Sequence, residues 1–348
     1  MDRINTINVP DKIAMEKARR RWNSIGKPLH SLGLLEEAVI KISGITGSAD
    51  IALNKRRAVV FCADNGVVCE GVTQTDSSVT AVVAEAIANG TSSINRMAQT
   101  FYADVLPVDI GINREIFHKN IINKKISFGT ENIAEGAAMS CEQAIKAISV
   151  GIDIAKECSE NGYDILVTGE MGIGNTTTSS AVAAVFLDAF PREVTGRGAG
   201  LDDAGLERKI KVIERAIAIN CPDKNNALDV LSKLGGYDIA GMTGLFLGGA
   251  IYRIPVVIDG FISAVSAALA VKINPLAKEY MLCSHVSKEP AGQKILDLIG
   301  LKPLITAELA LGEGTGGILL LPLLDGALSV YNSAHSFDDL QIERYVEL

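Results

Sequence analysis

The chain has 348 residues, with 33 Lys+Arg against 41 Asp+Glu, 48% hydrophobic residues and 21% charged ones. A formal charge of -8 argues against a general nucleic-acid binder, because neutralising phosphates needs a basic surface, and the apolar content excludes a disordered chain. A chain of this size can bury about three quarters of its unfolded surface, so core size is not limiting.

The N-terminus, Met1-Asp2-Arg3-Ile4-Asn5, has no apolar signal-peptide core. The first fifty residues read as helical: Arg19-Arg20-Arg21 mark a charged face, and Leu35, Val39 and Ile42 fall at helical spacing between Leu32 and Ile45. Next, short β-branched runs end in Gly or Asp, each followed by an Ala-rich helix. Ala58 to Cys62 leads into Asp64-Asn65-Gly66, Val105 to Asp109 into Gly111, and Ile165 to Thr168 into Gly169. Ile254 to Ile258 precedes Asp259-Gly260, and Tyr280 to Cys283 precedes Ser284-His285. Apolar strands alternating with helices predict an α/β fold, a parallel Rossmann-like sheet covered by helices on both faces. Ligands in such folds bind beyond the carboxyl ends of the strands, where these Gly, Asp, Ser and His residues fall. The expected organisation is an α/β core over 51–333 and a small helical part from 1–50 and 334–348, with Ser333 to Leu348 reading as a polar tail.

The segment Thr168-Gly169-Glu170-Met171-Gly172-Ile173-Gly174-Asn175-Thr176-Thr177 lies between a strand and a helix over Ala181 to Ala189. Its glycines allow close backbone approach, and a hydroxyl-rich helix start offers N–H donors and a positive dipole end, so a phosphate site is expected. The spacing imitates a P-loop, but Asn175 stands where the lysine belongs, which argues against triphosphate hydrolysis. A second turn, Gly196-Arg197-Gly198-Ala199-Gly200, precedes Asp202-Asp203, read as helix caps, and a basic helix with Lys209 and Lys211. Arg197 and Lys209 can supply charge to the same phosphate.

In the third segment, Leu311-Gly312-Glu313-Gly314-Thr315-Gly316-Gly317, the glycines satisfy the dinucleotide pattern, yet Pro303 to Leu311 reads as helix where that fingerprint needs a strand. Glu313 is a carboxylate enclosed by glycines in apolar surroundings, where desolvation raises a pKa toward that of a general base. No Gly-x-Ser-x-Gly elbow accompanies His285, so a Ser/His hydrolase is not indicated. Six dispersed cysteines without a Cys-x-x-Cys pair and four scattered histidines predict reduced thiols, a cytoplasmic location and no metal site. The apolar runs Ile239 to Tyr252 and Gly260 to Val271 fall short of the ~18 residues of a membrane span, so no membrane partner is expected.

Together these segments resemble the nicotinate-nucleotide:5,6-dimethylbenzimidazole phosphoribosyltransferase family, which activates the lower-ligand base of cobamides. The resemblance runs from Cys62-Ala63-Asp64-Asn65-Gly66-Val67 through Gly169-Glu170-Met171-Gly172, Val230-Leu231-Ser232-Lys233, Gly241-Met242-Thr243-Gly244 and Asp259-Gly260-Phe261 to Ser284-His285-Val286-Ser287 and Leu311 to Gly316. It implies transfer of the phosphoribosyl group of nicotinate mononucleotide to an aromatic base, with release of nicotinate, no cofactor and a homodimer. Glu313 matches the family's catalytic glutamate, and Glu170 is placed to stabilise an oxocarbenium-like sugar. Gly172, Gly174, Asn175, Thr176, Gly198, Gly200, Lys209 and Ser284 are the implied nucleotide and phosphate residues.

Thr75, Asp76, Val83 and Gly314 are the implied acceptor-base pocket. Better-known members have a Ser-Pro pair and a glutamine where this chain has Thr75-Asp76 and Val83, which leaves open another base or a phenol. Phenol-attaching relatives work as pairs of unlike subunits, so a heterodimer with a related subunit is the second arrangement. A noncatalytic partner subunit and a magnesium-dependent transferase using phosphoribosyl pyrophosphate are the competing readings. Retention of Glu313 and both glycine loops speaks against the first.

Overall fold

The structure, a computed structural model, describes residues 2–345. Met1 and residues 346–348, assigned above to the small helical part, lie outside the described residues. Six strands form one parallel sheet: β1 (Arg56–Ala63), β2 (Ala103–Gly111), β3 (Ile122–Asn123), β4 (Ile165–Met171), β5 (Val256–Ile258) and β6 (Met281–Cys283). Their order is β3-β2-β1-β4-β5-β6, so the direction of winding reverses between β1 and β4. A crevice opens at such a reversal beyond the strands' carboxyl ends.

Strand residues alternate between the two faces, and each face buries its own core. Val59 and Phe61 join a core with the helices Cys141–Glu160, Tyr237–Tyr252 and Phe261–Ile273. Ala58, Val60 and Cys62 join another with Leu34–Thr46, Ser78–Ala88, Ser93–Thr100 and Thr315–Ser333. Both chain ends meet on this second face. Trp22, from the helix Lys12–Ser24, is buried with its ring 5.0 Å from that of Tyr331.

The sequence reading did not include β3, and it differs from the structure in four other places. Strand β4 runs beyond Thr168 through Gly169 and Glu170 to Met171, because β1 pairs with it as far as Cys62↔Met171. The following helix begins at Asn175, ahead of the expected Ala181, since burial of Thr177 to Ser180 overrides their weak helix propensity. Pro303 to Leu311 is not helical. Its backbone bonds to the segment after β6 instead: the Ile305 N–H donates to the Ser284 carbonyl at 2.9 Å, and the Val286 and Lys288 N–H groups donate to Ile305 and Leu309 at 3.1 Å each. The expected polar tail carries the short helix Phe337–Leu340, whose Phe337 is buried, and Ser336 bridges to Ile25.

Candidate active site

A cleft of about 260 Å³ opens at the carboxyl edge of β4 and β5. Of the residues singled out in the sequence, Thr75, Glu170, Gly172, Gly174, Asn175, Thr176, Gly198 and Glu313 line it. Two of the glycines are required by space. A Cβ on Gly312 would stand 2.6 Å from the Glu170 carboxylate, and one on Gly174, whose φ is +94°, would stand 2.8 Å from Val68.

Besides Glu289 in the cleft wall, four carboxyl groups gather around this edge. Glu170 is pushed up to about 8, first by burial and then by the charge of Asp238. Asp238, in the first turn of Tyr237–Tyr252, is raised to about 6 by burial. One side-chain amide links the two: Asn175 Nδ2 donates to Glu170 and, at 2.9 Å, to Asp238. Asp259, at the end of β5, is raised to about 7 by burial, opposed by N–H donors from Gly317 at 2.8 Å and Gly314 at 3.2 Å. Glu313 is raised by burial, and its carboxylate accepts from the Ile94 N–H at 3.2 Å.

The positive group is set apart from these acids. Lys209 is fully buried, its Nζ donating to Thr176 Oγ1 at 2.9 Å and to the Gly196 carbonyl at 3.2 Å. Among the described residues it has no salt-bridge partner, and burial lowers its pKa to about 8 against the opposing charge of Glu289, which lines the cleft. A buried ammonium with no acid in contact is costly even with Glu289 nearby, and an anion at Thr176 would supply a close counter-charge. The Asn175 side chain, by contrast, is committed to carboxylates.

Six of the expected residues lie outside the cleft lining. Lys209 lies behind Thr176, bonded to its hydroxyl. Gly314 donates its N–H to Asp259, and the Gly200 carbonyl accepts from the Gln74 amide. Ser284 is buried, its hydroxyl bonded to the Ile258 carbonyl at 2.6 Å. Asp76 accepts from the Ser78 N–H at 2.8 Å, and Val83 packs against the core beneath its helix. Arg197 lines the cleft while pairing with the exposed Asp203, and Asp202 caps the helix Asp203–Asn220 as expected.

Sequence reasoning assigned no role to Asp238, Asp259 or His285, all buried here. The signal for Asp238 was an acid opening an otherwise apolar helix after Gly235-Gly236; Asp259 and His285 were visible as polar residues ending strands.

A phosphoribosyltransferase family model (DBI_PRT) matches residues 7–342. The chain is 45% identical over 334 residues to the nicotinate-nucleotide–dimethylbenzimidazole phosphoribosyltransferase of Acetivibrio thermocellus, covering 96% of this chain and 95% of that protein. The protein of the same name from Ruminiclostridium cellulolyticum is also 45% identical, over 345 residues, with 99% and 98% covered. The crystal structure of CobT from Thermus thermophilus superposes with a TM-score of 0.90 at 34% identity, covering 96% of this chain and 100% of that one. With the parallel sheet, the glycine turns and both glutamates in place along a full-length match, the chain belongs to this phosphoribosyltransferase family.

Proposed function

We propose that the protein transfers the phosphoribosyl group of nicotinate mononucleotide to a ring nitrogen of an aromatic lower-ligand base. The names of its relatives support nicotinate nucleotide as donor and dimethylbenzimidazole as acceptor. The bond between C1′ and the pyridinium nitrogen breaks, its electron pair leaving with nicotinate. The base nitrogen bonds to C1′ from the opposite face, giving the α-riboside 5′-phosphate, and its N–H proton passes to Glu313.

The observation that carries this reading is the placement of a buried cation with no acid in contact, Lys209, behind one end of a cleft that also holds a group of carboxyls. The 5′-phosphate suits Thr176, Gly174 and the Gly198 to Gly200 turn, where Lys209 gains a counter-charge at close range. The pyridinium and the cationic C1′ suit Glu170. A positive charge beside Glu170 favours its ionised form, so substrate binding itself turns a protonated acid into a stabilising anion. Because nicotinate leaves as a neutral pyridine ring, its departure does not call for a Lewis acid.

In this proposal 51–333 carries the chemistry, and Thr75, Asp76, Val83 and Gly314 frame the acceptor. A base other than dimethylbenzimidazole, or a phenol, is the wider acceptor class. The assembly is a homodimer, with a heterodimer of related subunits as the second arrangement; analytical ultracentrifugation of the purified chain separates them. The decisive variant is Lys209→Met. Its KM for nicotinate mononucleotide is expected to rise at least about tenfold, with preference over the dephosphorylated nucleoside lost, since a hydrogen bond to a charged group contributes roughly 1.5–3 kcal/mol. An unchanged preference in the folded variant would place the phosphate elsewhere.

A further inference from the structure

The His285 ring lies in the cleft wall, 4% exposed, with Nδ1 3.0 Å from the Ser284 hydroxyl oxygen. That oxygen also stands 2.6 Å from the Ile258 carbonyl oxygen and 3.1 Å from that of Asp259. Two oxygens at 2.6 Å need a proton between them, so the single hydroxyl proton goes to a carbonyl. Ser284 must then accept from the ring, which assigns the imidazole proton to Nδ1 and leaves Nε2 a bare acceptor. Burial lowers the ring's pKa to about 4, in keeping with a neutral imidazole.

Among the described residues Nε2 has no hydrogen-bond partner, and the ring that carries it lines the cleft. It lies beside Gly260, where a Cβ would stand 3.5 Å away. The adjoining Nδ1–Cε1 edge of the ring packs onto Gly316, where any Cβ would collide with it. An oriented acceptor in a substrate cleft calls for a donor on the substrate.

On the nucleotide reading given above, the donor set is small. The phosphate and carboxylate of nicotinate mononucleotide only accept, and its pyridinium nitrogen carries no hydrogen. The two ribose hydroxyls are its only donors, and the N–H of the incoming base is the reaction's other one, for which Glu313 is available. We propose that His285 is a specificity-determining residue whose Nε2 accepts a hydrogen bond from a ribose hydroxyl of the nucleotide, selecting a ribosyl over a deoxyribosyl donor.

The test compares wild type, His285→Asn and His285→Gln on nicotinate mononucleotide and on its 2′-deoxy and 3′-deoxy analogues. Asn keeps an N–H for Ser284 but has no acceptor at the Nε2 position; Gln extends a carbonyl toward it. His285→Asn should lose roughly threefold to tenfold in kcat/KM on nicotinate mononucleotide, the effect of one hydrogen bond, and nothing on the analogue lacking the paired hydroxyl. His285→Gln should recover most of that loss. Nitrogen-15 spectra of the wild type should show the Nδ1–H tautomer, with the Nε2 resonance moving when nicotinate mononucleotide binds. Equal losses on all three nucleotides, a loss that follows the acceptor base, or an Nε2–H tautomer overturns the proposal while the transferase reading stands. If wild type neither binds nor turns over nicotinate mononucleotide, that reading fails and this proposal with it.

Discussion

Glu313 stands in the left-handed region, with φ of +61° between Gly312 at +89° and Gly314 at +96°. A non-glycine residue there costs roughly 1–2 kcal/mol. The turn thus holds one carboxylate at the mouth of the cleft at the expense of local stability, as functional sites often do. Glu313→Gln preserves shape and removes the proton acceptor. Turnover is expected to fall about 10²–10⁴-fold with the thermal midpoint and nucleotide affinity nearly unchanged; a variant retaining most of the wild-type rate would contradict the assignment. Glu170 gives a pH signature instead. Its pKa is about 8 in the folded protein against an ordinary 4.5, so between these values the folded state holds a proton that the unfolded chain has released. Stability of the ligand-free protein therefore declines as pH rises through that window, and Asp259 and Asp238 act in the same direction. Melting curves at about pH 5, 6.5 and 8 should show this decline in wild type and a shallower one in Glu170→Gln; parallel curves would contradict the burial of an ionisable Glu170.

At the scale of elements, the site depends on how closely two helices meet. Gly151 in Cys141–Glu160 and Gly244 in Tyr237–Tyr252 each face the other helix's backbone so tightly that a Cβ has no space. This contact fixes the helix whose first turn carries Asp238. Gly151→Val should lower stability by at least ~1–3 kcal/mol through overpacking, measured by urea unfolding; a change within error would mean the helices can separate freely. Much at this scale was readable from the chain. The β-branched runs gave five of the six strands, and Glu170 and Glu313 stood out as carboxylates among glycines. What was not readable depended on partners remote in sequence. Pro303 to Leu311 has helical composition, but its backbone is claimed by the strand end at Ser284. Asn175 looked like a phosphate ligand because nothing local reveals that Asp238 lies within 2.9 Å of its amide. The two residues of β3 are too few to carry a pattern.

For the whole molecule, local pattern predicts a parallel sheet but not the order of its strands, which is set by how the helices pack on each face. The order seen here puts the winding reversal between β1 and β4, and the turn after β4 lies against the loop after β1: a Cβ on Gly174 would stand 3.2 Å from that of Asn65. Both ends of the chain close one face of the same sheet, and the family and structural matches extend over nearly its full length. Among the described residues no helix is long and apolar enough to cross a membrane. The transfer reaction itself is open to one direct assay. The purified protein is incubated with nicotinate mononucleotide and a panel of benzimidazoles, other bases and phenols, with a chelator present, and the products are read by mass spectrometry. The expected result is stoichiometric nicotinate and an α-riboside 5′-phosphate of at least one acceptor. The contradicting result is no product from nicotinate mononucleotide with any acceptor, together with product from phosphoribosyl pyrophosphate when magnesium is supplied.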